Sequence, residues 1–547
     1  MRKITGLLLC LLLLWAVPAA AEAEETPKTE FLTYPPEAIT AFDEAMLQRG
    51  AEDDLFKGNV GYEETGLFVS PYYTCTVNGQ TAPVYASLCY DYERDLCVLQ
   101  SFCTLWVTPG TPLEVVLNAA VPVQSGVILP SRRGVDCDAR DNTVSFCVNK
   151  SGSYTLLING DDQRYVFTLF VKDYTDEAAE IRALKEKYGE EKVKVFPKGR
   201  YDAEYIDVSS YDAVYFERGS FFHAVHRYEI RDEEAMNSLP PRRAFFEFSG
   251  KQNGVVTGFG TFDFTPLDRK EREGALVQYC SGCTVEGLCL LNCPSWTFIC
   301  YGCTDMTVRD ITVTGYRTNS DGLDICGCSG VTVSDCFVRT GDDAFSVKTT
   351  NTAYEANDIT FHDCVAFSPK ARCFGITGEV ASDIHRIRFT ACDVIYRNAV
   401  WDHDRVYALA VAAETGTGSI DTVVFEDIEI YRDTGRPLAC LVYGTDITNC
   451  RITGVTFRNI AVNGQLKGKL CTSRSLSFGD KVLFGLARFL NRLFPGNPFS
   501  ALLKSWAADT NYISAAFENV TFNGKPLTGR NVNRYLEIEG NADIEVK

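Results

Sequence analysis

The sequence predicts an all-β protein, a right-handed parallel β-helix preceded by a small antiparallel β-sandwich. Three observations predict it. From about Val255 a short phrase recurs: an aliphatic residue or Phe, one polar residue, a small or acidic residue, then another apolar one. The segments around it alternate between apolar and polar residues instead of following a 3.6-residue helical period. The phrase returns after 23, 25, 28, 28, 36, 32 and 60 residues from Val285 onward, intervals expected of stacked β coils with loops inserted on one side.

In chain order, Met1 to Ala23 reads as a secretory signal peptide. Arg2 and Lys3 are followed by the apolar run Leu7 to Val17, too short to span a bilayer, and by small residues suited to cleavage. Residues 24–59 read as a linker. Residues 60–173 carry alternating runs such as Ser153 to Ile158 and Tyr165 to Val171, broken by turn signals such as Asn159-Gly160, and read as the β-sandwich. Residues 174–547 form the β-helix domain, with a charged helical connector at Glu177 to Tyr188 and a solenoid start at Val193. The phrase then runs through Val285-Glu-Gly-Leu288, Val308-Arg-Asp-Ile311, Val333-Ser-Asp-Cys336, Phe361-His-Asp-Cys364, Phe389-Thr-Ala-Cys392, Phe425-Glu-Asp-Ile428, Phe457-Arg-Asn-Ile460 and Phe517-Glu-Asn-Val520. An insertion at about 465–510 carries apolar residues at helical spacing from Lys481 to Phe494. It reads as a helical hairpin on the solenoid, with a lid, a lipid-facing patch or a partner surface as alternatives.

Six of the 22 cysteines follow the same register. Cys280, Cys303 and Cys328 each stand five residues before a phrase, and Cys336, Cys364 and Cys392 fill its fourth slot. They read as small apolar rungs of inward ladders. Cys280-x-x-Cys283 and Cys300-x-x-Cys303 have zinc-site spacing, and stacked cysteines have disulfide geometry within reach, so both alternatives stand beside the ladder. The formal charge of −19 argues against nucleic acid and anionic membranes as partners. No second run of 18 apolar residues follows the leader, so the mature chain is expected to be secreted, extracellular, monomeric and without a transmembrane segment.

The chemistry is concentrated between Asn319 and Lys348, in Asn-Ser-Asp-Gly-Leu-Asp followed by Thr-Gly-Asp-Asp-Ala-Phe-Ser-Val-Lys. Asp321 and the pair Asp342-Asp343 are about one coil apart, which brings three carboxylates to one face. Adjacent carboxylates repel, so at least one pKa rises, and a raised acid donates a proton near neutrality. One acid protonating a leaving oxygen while others activate water is the requirement of glycosidic bond hydrolysis. Aspartates also cap turns and stack as surface ladders in any β-helix.

This segment resembles the active-site signature of the polygalacturonases, glycoside hydrolase family 28, which are pectin-lyase-like right-handed β-helices that hydrolyse with inversion. The resemblance implies that Asp342 is the general acid and that Asp321 and Asp343 hold and activate water. It gives Asn319 and Lys348 supporting places at the substrate and calls for no metal and no cofactor. The family's Gly-His-Gly and Arg-Ile-Lys are replaced here by Lys370 to Gly378 and Tyr407 to Ala412, without the His or the basic pair, which points away from polygalacturonate. Arg372 or Arg405 is then the candidate substitute cation. The sandwich ahead of the helix is similar to the domain order of family 49 dextranases, which act on neutral α-glucans. Trp296, Tyr316, Trp401 and Tyr407 are candidate sugar-facing aromatics, and Asp402-His403-Asp404-Arg405 a candidate subsite loop. The expected partner is a carbohydrate polymer or oligosaccharide. A polysaccharide lyase or epimerase on the same fold, and a non-catalytic carbohydrate-binding β-helix, are the rival classes.

Overall fold

The computed structural model describes residues 27–44, 65–91, 96–160, 163–225, 244–268, 270–368, 370–398, 406–442, 450–466, 471–474, 478–494, 498 and 511–547. The leader expected at 1–23, the stretch Asp402 to Arg405 with Trp401, and the apolar run through Trp506 lie outside these residues.

The sandwich consists of a seven-stranded and a five-stranded sheet. Among the described strands pairing is antiparallel except where Tyr165–Asp173 runs parallel to Leu96–Val107, and an isolated bridge between Thr40 and Phe68 is also parallel. Its core is closed by alternating inward residues such as Val115, Leu117, Phe146, Leu156 and Phe167. Residues 27–44 of the segment expected as a linker are packed on the sandwich. Thr29–Phe31 adds a strand against Leu105 to Val107, and Leu32, Tyr34 and Ala38 are buried. Its apolar residues make it part of the packing, because exposing them would forfeit their burial.

After the helix Glu177–Tyr188, the chain winds into parallel coils that build a nineteen-stranded and an eleven-stranded sheet. The recurring phrase turns out to be a corner, between two strands as far as Phe389 and within one continuous strand at Phe425, Phe457 and Phe517. Its first and fourth residues point inward: Val285, Val308, Val333, Phe361 and Phe389 in one ladder, Leu288, Ile311, Cys336, Cys364 and Cys392 in the other. Its third residue takes a left-handed backbone: Gly287, Asp310, Asp335, Asp363, Ala391, Asp427, Asn459 and Asn519 all have φ between 52° and 73°. Gly, Asn and Asp tolerate that conformation best, which is why the slot is small or acidic. Phe361, Phe389, Phe425, Phe457 and Phe517 stack face to face at centroid spacings of 4.8–5.0 Å.

The cysteines occupy the ladders as their register predicts. The N–H of Cys280 points at Cys303 Sγ, and that of Cys303 at Cys328 Sγ, both at 3.3 Å. Twenty of the cysteines are free thiols, and several in the core donate to backbone carbonyls, as Cys328 does to Cys300 O at 3.2 Å.

A third hydrophobic core joins the two domains. Tyr85, Phe102, Trp106 and Phe170 of the sandwich pack on Phe259, Phe337, Phe367 and Tyr396 of the solenoid. Tyr316, expected near the acids, is instead buried in a further cluster against Phe68, Leu88 and Leu99. Polar bonds cross the same boundary: Arg132 Nε to Asp393 at 2.9 Å and Arg339 Nη1 to Gln100 at 2.6 Å. In the insertion, helix Phe478–Leu493 forms, with Ala487 buried and Val482, Leu486, Phe489 and Leu493 exposed.

Candidate active site

The eleven-stranded sheet aligns the acids. Phe298, Leu323, Phe345, Phe374 and Leu409 are successive register partners pointing into the core. Two residues before each stand Trp296, Asp321, Asp343, Arg372 and Tyr407, which therefore occupy one line across five coils. Backbone bonds tie this line together: Thr297 N–H to Asp321 O, Gly322 N–H to Asp343 O and Ala344 N–H to Arg372 O, at 2.8–2.9 Å. Gly322 is required here, since a Cβ would lie 2.3 Å from Ala344 O. Asp321, Asp342 and Asp343 each place a carboxylate oxygen within 4.8 Å of the others.

Each acid has its own surroundings. Asp321 is buried, and its Oδ2 takes a bond from Lys348 Nζ at 2.7 Å. Asp343 is buried and accepts from both the N–H and the Nη1 of Arg372, at 3.0 and 2.9 Å. Asp342 is half-buried and is held by two backbone N–H groups, those of Asn319 and Asp343, both at 3.0 Å. Asn319 presents its N–H from a left-handed conformation, φ 66°, which explains an Asn at that position.

Lys348 and Arg372 are themselves saturated. Lys348 also pairs with Asp324 at 3.0 Å and with Glu379 at 4.0 Å, and its Nζ lies 4.0 Å from the centre of the Trp296 ring. Arg372 also reaches Glu414. Both side chains are buried, so Arg372 meets protein carboxylates where a substrate contact was expected. Tyr407 is fully buried among Ala410, Ala412, Ala439 and Leu441 and presents no open face. Trp401, His403 and Arg405 lie outside the described residues.

Burial pushes Asp342 above the ordinary carboxylate range, the charge of Asp343 adds to it, and the Asn319 N–H and Lys370 pull it back. Burial also raises Asp321 against the pull of Lys348, with Asp324, Asp342 and Asp343 adding. Asp324 is pushed up to about 7 by burial, which outweighs Lys348. Burial opposes the charge on Lys348, but Asp321, Asp324 and Glu379 overcome it and hold the ammonium well above the usual lysine range. Among the three acids, Asp342 is the member that reaches solvent.

Asp324, Glu379 and Glu414 were not singled out from the sequence. Asp324 was findable: it ends the Asn-Ser-Asp-Gly-Leu-Asp phrase and sits on the outward side of strand Leu323–Cys326, as Lys348 does on Phe345–Thr349. Glu414, 42 residues beyond Arg372, has no local signal.

The sequence profile described as Glycosyl hydrolases family 28 matches residues 266–368. A polygalacturonase of Chamaecyparis obtusa is 22% identical over 35% of this chain and 37% of its own length. A probable exopolygalacturonase B of Aspergillus terreus is 24% identical over 32% of this chain and 43% of its own length. The chain thus spans under half the length of these relatives. Dex49A from Penicillium minioluteum shares the fold over 90% of this chain and 96% of its own, with a TM-score of 0.58 and 12% identity. The chain is polygalacturonase-like over its acid-bearing coils, on a β-helix fold that Dex49A shares along nearly its whole length.

Proposed function

We propose that the chain is a secreted glycoside hydrolase that cuts a polysaccharide or oligosaccharide by a single displacement with inversion. Asp342 protonates the leaving oxygen, and Asp321 and Asp343 hold and deprotonate the attacking water. The observation that carries this reading is the line of acids itself: two buried carboxylates clamped by Lys348 and Arg372 flank a half-exposed third. A water has two protons to donate, and Asp321 and Asp343 on neighbouring coils give it two acceptors. Asp342 is the acid that reaches solvent and that no side-chain cation clamps, which suits it to hand a proton to the sugar oxygen.

The spacing departs from the expectation for an inverting pair. Carboxylates ~6.5–9.5 Å apart are typical of inversion and ~5–5.5 Å of retention, whereas oxygens of the three acids here lie within 4.8 Å. Retention is therefore the competing outcome, and proton NMR of the first-formed anomer decides between them.

The cations on the acid line already serve protein carboxylates, which favours a neutral sugar at the cleaved bond over a uronate. A screen of reducing ends released from neutral and uronic polysaccharides, with Asp342→Asn as control, tests the reading. Release by wild type that persists undiminished in Asp342→Asn sinks it. An ultraviolet-absorbing unsaturated product would assign a lyase instead.

A further inference from the structure

We infer that Tyr279, Tyr301 and Tyr354 form a carbohydrate-binding platform that takes pyranose rings of a neutral glycan beside the acids. Its placement as a subsite rests on the hydrolase reading above; its binding of glycan does not.

The three rings form a compact group, with centroids 5.7–5.9 Å apart in edge and tilted contacts. Tyr279 is 48% and Tyr354 38% exposed, so apolar ring surface is left in water at one spot. The phenol of Tyr301 accepts a bond from Asn351 Nδ2, and Asn351 Oδ1 accepts from Ala353 N–H at 2.8 Å, which steadies the loop carrying Tyr354.

The backbone under Tyr279 is the second observation. Gly250, Tyr279, Gly302 and Gly327 stand on one line, each donating its N–H to the next coil, to Gln278 O, Tyr301 O, Cys326 O and Lys348 O. Their φ angles are 68°, 54°, 59° and 56°. Three of the four are glycine, the residue that conformation favours, and the fourth is a bulky aromatic. The neighbouring glycines make room for it: a Cβ at Gly302 would lie 3.1 Å from the Tyr279 ring, and one at Gly327 would lie 2.6 Å from Tyr354 Cβ. A tyrosine held where its stacked neighbours are glycine, with its ring open to solvent, is built for something outside the fold.

The third observation is position. Tyr301 pairs in register with Cys326, and Cys326 with Lys348, all on the outward side of the sheet. Two strand spacings, ~9.6 Å, thus separate the platform from the lysine bonded to Asp321. The rim is acidic, because Glu355 and Asp383 gather with His385 within 4.8 Å. Flat C–H faces of a neutral sugar suit the rings, and a polyuronate would meet like charge.

The test is affinity electrophoresis of the Asp342→Asn protein in gels containing dextran, xyloglucan, mixed-linkage β-glucan or polygalacturonate. The parent is expected to be retarded by at least one neutral glycan. Tyr279→Gly combined with Tyr354→Ala is expected to weaken that retention by about five- to tenfold. Tyr279→Gly fits the glycine line, so thermal unfolding of this variant should not fall, which separates lost binding from lost folding. In the active background the same pair should raise KM for the polymer and leave kcat unchanged. Equal retention of parent and double variant, retention by polygalacturonate alone, or retention by none of the four overturns the platform. Tyrosine-dependent retention in a protein that releases no reducing ends keeps the platform and removes the hydrolase.

Discussion

Asp342 is held by backbone N–H groups alone, whereas Lys348 clamps Asp321 and the Arg372 guanidinium clamps Asp343. On the proposed function that difference separates the acid from the residues that hold water, and it makes Asp342→Asn the decisive substitution: turnover should fall by about 10²–10⁴-fold with the circular dichroism spectrum unchanged. Lys370 pulls the Asp342 carboxyl down, so Lys370→Met favours the protonated form. The alkaline limb of the kcat profile should then move to higher pH. Asp324 binds its proton more tightly folded than unfolded, since burial pushes it up to about 7. Its stabilising contribution is whole below the ordinary aspartate range and is lost as pH rises through about 7, at up to roughly 1.4 kcal/mol per unit. Urea unfolding of wild type should therefore lose stability between pH 4 and 7 relative to Asp324→Asn. At this scale the sequence made the three catalytic candidates readable, because they share one short segment. It left the partners of Arg372 unreadable, because Asp343 and Glu414 reach that side chain from different coils.

The corner phrase is the element that organises the solenoid, and its regularity came from two separate physical demands. Inward slots need apolar residues that stack on their copies, and the third slot needs a residue at ease with positive φ. Ala391 fills the third slot at φ 52° without being Gly, Asn or Asp. Ala391→Gly should raise stability by about 1 kcal/mol, read from the urea midpoint. Phe425 is stacked on both sides, on Phe389 and Phe457. Phe425→Ala should cost about 3–5 kcal/mol, because two neighbouring rings lose contact at once. The corners and cysteine ladders were legible in the sequence because they recur. The glycine line that includes Tyr279 was not, because the residue that matters there is the one that breaks the repeat.

At the scale of the whole molecule, the sandwich and solenoid form one packed body. Phe259, Phe337, Phe367 and Tyr396 are covered by the sandwich, and Arg339 finds Gln100 across 239 residues of chain. Residues 174–547 produced alone should elute as aggregate in size-exclusion chromatography, since that face would be bare. Such long-range pairing is why residues 24–59 read as a linker: nothing near Leu32 or Tyr34 in sequence announces the surface they cover. The phenylalanine column from Phe361 to Phe517 has a consequence of a different kind. Every rung is interchangeable with the next at 4.8–5.0 Å, and every rung lies beyond the three acids in the chain. Duplicating one complete turn beyond Glu414, the last residue tied to the site, would lengthen the protein by a single step and leave the chemistry where it is. Losing two or three residues within a corner would throw all later rungs out of phase. Descendants of this gene are thus free to grow or shrink here, but only by whole turns.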